Sequence, residues 1–273
     1  MTTDITSPPL VNILLTREEV RLLVGLLQAP SLPGLDVEPS SPLVPDLEAV
    51  GLIYAEKSLR VRELARLQPD GCLGVNTMLL AMIETCVRPE HAILIQHITE
   101  DKKLIPLYGH SKQGVFVTYI LPEPDLFRFS ILPDMATLLD RVMMGAQFQD
   151  FVLPNQQGEM EIVANHTTLS AARQVAEQDG YDAAVVTLEN AGIALISAQA
   201  LAQTLAAPYR LTILTVFTVN PDAETIKEQL TVIATSTQAW LMRQQAGELT
   251  SYRIKPVVAD DIRLLLTQIT SQG

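Results

Sequence analysis

The runs Ala92-Ile-Leu-Ile-Gln-His-Ile98, Leu104-Ile-Pro-Leu-Tyr108, Gly114-Val-Phe-Val-Thr-Tyr-Ile120 and Leu126-Phe-Arg-Phe-Ser-Ile131 decide the fold. Each is rich in β-branched and aromatic residues, and polar turns at 100–103, 110–113 and 122–125 separate them. That spacing predicts an antiparallel meander. Side chains alternate across a strand, so Ala92, Leu94, Gln96 and Ile98 face one side and His91, Ile93, Ile95 and His97 the other. Both faces are substantially apolar. Helices are therefore expected on one, and a second cover, from the rest of the chain or from a partner, on the other. A helix over 134–144 follows, with Leu138, Leu139 and Val142 as its apolar stripe.

Upstream, Thr16 and Glu19 have the spacing of a capping box, and Leu22, Leu23, Leu26 and Leu27 continue an apolar helix face to about residue 28. Pro30, Pro33, Pro39, Pro42 and Pro45 exclude regular structure from 29–45. A short helix over 47–50 is expected to stop at Gly51, with small strands at 51–54 and 59–64 and a helix over 76–86. Helix, helix and wing resemble a winged-helix start, but a recognition helix needs basic residues and 47–50 has none.

From His166 the plan begins again. Helices are expected over 170–178, 183–191 and, capped by Ser197, 198–205; extended runs at 211–217, 230–234, 239–243 and 249–254 precede a closing helix over 260–269. A short helix over 222–229 is expected between the first two runs, and a strand at 160–163 ahead of the whole half. Leu188-Glu-Asn-Ala-Gly192 echoes Leu47-Glu-Ala-Val-Gly51, and Tyr252-Arg-Ile254 echoes Phe127-Arg-Phe129. The predicted class is α+β. Two pseudo-symmetric halves, 1–147 and 148–273, each carry helices, an antiparallel meander and a C-terminal helix around a central sheet.

The chain has 273 residues, 31 acidic against 19 basic, and a net charge of −12. Acidity of that size opposes nucleic acid and anionic membranes, which both select clustered Lys and Arg. Mean hydropathy is high at +0.22, yet no apolar run approaches the roughly 20 residues of a membrane span. With no basic and apolar leader at the N-terminus, a cytoplasmic protein is expected. Cys72 and Cys86 are too few for a disulfide framework.

Phosphate-binding, nucleophile-elbow and zinc-protease motifs are missing from the sequence. His91 and His97 share a face, but six residues of strand put them roughly 20 Å apart, too far to share a metal. Asp260 and Asp261 start a helix, where its dipole favours carboxylates. No catalytic residue, cofactor or metal is expected. Lys102, Lys103 and Lys112 stand on predicted turns of an acidic protein, either as solvated tips or as a docking point for an acidic or helical partner. Trp240, in a predicted strand, is either core or an interface anchor.

Leu15-Thr-Arg-Glu-Glu-Val-Arg-Leu-Leu, the proline-rich passage to Leu47-Glu-Ala-Val-Gly-Leu, the meander and the doubled layout together resemble the EspG family of cytosolic chaperones of ESX (type VII) secretion. The resemblance spans most of the chain by organisation. It implies quasi-two-fold α/β halves around a central sheet, and a non-enzymatic role in binding the tip of a helical secretion substrate. The leading expectation is thus a protein-binding adaptor or chaperone. The rivals are an enzyme or small-molecule binder with a site between the halves, and a winged-helix regulator. An open apolar sheet face would also permit a homodimer.

Overall fold

The computed structural model describes residues 12–29, 31–35, 45–98, 104–148, 151–152, 160–218, 226–244 and 251–271. In the first half the chain runs β1 (Asn12–Thr16), α1 (Arg17–Leu26), α2 (Pro45–Val61), β2 (Ala65–Leu67), β3 (Leu73–Val75), α3 (Thr77–Val87), β4 (His91–Ile98), β5 (Leu104–Lys112), β6 (Val115–Glu123), β7 (Leu126–Leu132) and α4 (Met135–Gly145). The second half runs β8 (Ile162–Asn165), α5 (His166–Gln178), α6 (Tyr181–Asn190), α7 (Leu195–Ala206), β9 (Arg210–Thr218), β10 (Ile226–Ala234), β11 (Ala239–Gln244), β12 (Ser251–Val257) and α8 (Ala259–Ser271).

The two meanders join into one ten-stranded sheet in the order β1-β7-β6-β5-β4-β9-β10-β11-β12-β8. Every neighbouring pair is antiparallel. The seam is β4 against β9, from His91↔Thr218 to Ile98↔Leu211. Outward from it the order is β4-β5-β6-β7-β1 on one side and β9-β10-β11-β12-β8 on the other. The last residue of each edge strand caps the next helix. Thr16 accepts from Glu19 N in a complete capping box, and Asn165 Oδ1 accepts from Thr168 N at 2.7 Å. Each cap satisfies an amide that the first helical turn leaves unpaired.

Alternation along the strands sorts the apolar residues into three cores. On one face, α4 and α8 meet over Ile93, Ile95, Leu214, Val216, Leu230, Val232 and Leu241. On the other, α1–α3 cover Val117, Tyr119, Phe127 and Phe129, while α5–α7 cover Ile233, Trp240, Met242 and Ile254. Full burial of side chains this size contributes about 1.5–3 kcal/mol each. This is an α+β architecture of three layers.

Several expected boundaries move. Residues 47–50 belong to the 17-residue α2, which runs through Gly51. A Cβ there would lie 3.2 Å from Glu18 Cγ, so Gly51 serves the close approach of α1 and does not stop the helix. The small hairpin is β2–β3, not 51–54 with 59–64. Ser197 lies inside α7, whose N-cap, Ala194, makes no side-chain cap bond. Residues 226–229, expected as helix, are strand, because the whole length of β9 offers them a ladder from Ile226↔Thr218 onward. The rest of that expected helix, 222–225, lies outside the described residues. β5 continues through 110–112, and the turn is Gln113–Gly114 with φ of +48° and +78°. Positive φ at both central residues suits the twist of a two-residue hairpin.

Candidate binding surface

On the face that carries two cores, the helices leave the middle of the sheet open. Alternation places Ala92, Leu94, Gln96 and Ile98 of β4 beside Phe217, Thr215, Ile213 and Leu211 of β9. Of these, Ala92, Leu94, Ile98, Ile213 and Phe217 are only part-buried, and none belongs to any of the three cores. The opposite side of the same strands, Ile93, Ile95, Leu214 and Val216, is buried under α4 and α8. The result is an apolar strip two strands wide, walled by the α1–α3 and α5–α7 layers.

The first wall is built of stacked rings. Tyr108, opposite Leu94, stacks on Tyr119 with centroids 4.5 Å apart, and Tyr119 stacks in turn on His110 at 5.5 Å. The Tyr119 hydroxyl donates to Pro33 O at 2.8 Å, anchoring the 31–35 segment over the rings. Gly34, with φ +84°, sits where a Cβ would lie 3.3 Å from Tyr108 Oη. Burial pushes both tyrosine hydroxyls up in pKa and pushes His110 down to about 3. Neutral rings result, and such a surface suits apolar and hydrogen-bonding contact better than acid–base chemistry. At the second wall, the Arg173 guanidinium lies 4.4 Å over the Tyr209 ring, just before β9.

No protein-family model matches the chain, and no curated protein matches it in sequence. Among solved structures it is similar to the Mycobacterium tuberculosis type VII secretion system chaperone EspG5, solved in complex with the PE25–PPE41 dimer, with a TM-score of 0.62 and 15% identity over 93% of this chain and 94% of that one. The chain has an EspG-like fold. At that identity the likeness is one of backbone arrangement, matching the organisation read from the sequence.

Within this EspG-like fold the sequence-predicted site residues scatter. Lys102 and Lys103 lie outside the described residues. Lys112 is in β5, not on a turn, and its Nζ donates to Glu84 Oε1 of α3 at 2.7 Å. That bond and the lysine charge hold the Glu84 carboxyl below its ordinary pKa. Trp240 is wholly buried, with Nε1 donating to Thr204 Oγ1 of α7 at 2.9 Å. An indole with no exposed surface offers nothing to a partner, so its place is in the core. No group of three His, Cys, Asp or Glu that could hold a metal occurs among the described residues. No described helix is long and apolar enough to cross a membrane. No sequence motif marks Leu94 or Ile213. Their signal was the apolar character of both faces of the β4 run, which left open what covered the second face.

Proposed function

We propose that the chain is a cytoplasmic, non-enzymatic, protein-binding chaperone that holds a secretion substrate of the PE–PPE kind on the open β4–β9 strip. The observation that carries this reading is the EspG-like fold over nearly the whole chain, shared with a chaperone solved in complex with a protein dimer. The apolar strip supports it, because half-buried Leu94, Ile98 and Ile213 lose water when a partner's apolar side chains cover them. On the same reading, the halves 1–147 and 148–273 repeat one plan, and the substrate sits on the seam between them.

The test is affinity purification of the tagged chain from its source, with stoichiometry read by light scattering and partners by mass spectrometry. A defined complex with a helical secretion substrate is expected. The double variant Leu94→Gln, Ile213→Thr should lose it while unfolding cooperatively. Recovery of the free chain alone, or as a homodimer only, would overturn the chaperone reading; full binding by the double variant would move the site off the strip.

A further inference from the structure

On the α4 side of the sheet, away from the open strip, the first half carries a cleft of about 590 Å³. Register and alternation aim Thr118 and Ile120 of β6, Arg128 and Ser130 of β7, and Asn12 of β1 toward it. Arg141 and Met144 close it from the flank of α4. Among the described residues no Asp or Glu lines it, in a chain with 31 acidic residues against 19 basic.

Both arginines of this cleft are unpartnered among the described residues. Arg17, Arg21, Arg60, Arg62, Arg173, Arg243, Arg253 and Arg263 all form ion pairs. Arg88 donates to backbone carbonyls and Arg210 to Gln147. That leaves Arg66, Arg128 and Arg141 without an ion pair or hydrogen bond, and two of these three line one cleft. The Thr118 hydroxyl likewise has no hydrogen-bond partner among the described residues, whereas the Ser130 hydroxyl is engaged with Asn12 Oδ1 at 2.6 Å.

The other half shows what satisfies such a site from within. A cleft of about 430 Å³ lies on the same sheet face over β11 and β12, at the corresponding place in the strand order. There Arg253 pairs with Glu161 at 3.4 Å, and Arg243 pairs with Glu228. Both arginines of the second-half cleft, which Lys255 also lines, are thus paired with carboxylates, and those of the first-half cleft are not.

The geometry points to the first-half cleft as a binding site for a small organic oxyanion, a phosphate or carboxylate head on a short apolar body. Arg128 and Arg141 meet the head with planar donor forks, and the Thr118 hydroxyl adds a further donor. Leu107, Ile120 and Met144 take the body. Because the cleft and the strip lie on opposite faces, the fate of one proposal leaves the other untouched.

Calorimetry and thermal unfolding of the full chain with inorganic phosphate, butyl phosphate and pentanoate, each at matched ionic strength, test it. Saturable binding is expected, with a Kd of about 1 mM or tighter for the better butyl-chain ligand. Losing one charge-assisted contact should weaken it about tenfold in R128Q and in R141Q, with R66Q unchanged. Stronger binding of butyl phosphate assigns a phosphate head, and stronger binding of pentanoate a carboxylate head; either supports the site. No saturable binding, or equal loss in R66Q, would overturn it.

Discussion

Beneath α1–α3, the first half of the sheet carries a ladder of rings, with Tyr119 between Tyr108 and His110 and within 5.1 Å of Phe129. At the corresponding strands of the second half, α5–α7 rest on Trp240 amid alanines 164, 172, 176, 184, 198, 200 and 202. One strand order thus accommodates two packing solutions, several mid-sized rings on one side and small residues around one indole on the other. Protein interiors are filled to a common density, and the volume missing from alanines has to be supplied elsewhere. The same contrast runs through the charges, with Arg253 paired where Arg128 has no partner among the described residues.

The sharpest way to break the comparison is to remove the indole. Trp240→Ala should cost about 3–5 kcal/mol in urea unfolding, since the alanine surroundings have little side chain to collapse into the cavity. A loss under 1 kcal/mol would mean that the second core is not organised around it.

The first core should be the one that senses acid. His110 is buried, neither ring nitrogen has a hydrogen-bond partner, and its pKa is about 3 when folded against an ordinary 6.5. The native state binds the neutral ring, so this contribution is fully present above pH 6.5 and is lost as pH falls toward 3. At pH 4.5 the loss amounts to about 2–3 kcal/mol. In His110→Leu the difference in unfolding free energy between pH 7 and 4.5 should shrink by that amount. An unchanged difference would show the ring already solvated.

The caps offer a milder comparison. Thr16→Ala and Asn165→Ala should each cost about 1 kcal/mol, with Thr16 the costlier because its box is reciprocal. Equal losses in thermal unfolding would remove that distinction. Least affected should be Lys112→Ala, at about 0.5 kcal/mol or less, because its Glu84 partner is 43% exposed and water screens the pair.

The meander was legible because its strands alternate and its turns are polar. The start of α1 was legible because Thr16 and Glu19 announce their own hydrogen bonds. What misled was local as well. Gly51 looks like a stop unless α1 is known to lie against it, and 226–229 looks helical unless β9 is known to extend alongside. Lys112 looked like a turn residue because the positive-φ pair lies one position later, at Gln113–Gly114. The surface reading was partial in the same way, since the apolar faces of β4 could be read but not which of them helices would cover.

By itself the sequence determined the α+β class and the two meander-bearing stretches, since periodicity, caps and turn residues act over a few neighbours, and its organisation resembled that of the EspG family. Only the tertiary structure decided that β4 and β9 would join two meanders into one sheet, that Trp240 would be core, and that the strip through Leu94 and Ile213 would stay open. It also decided that Arg253 would meet a carboxylate and Arg128 would not. Each of those outcomes depends on residues brought together from distant parts of the chain, and no local pattern encodes such a meeting.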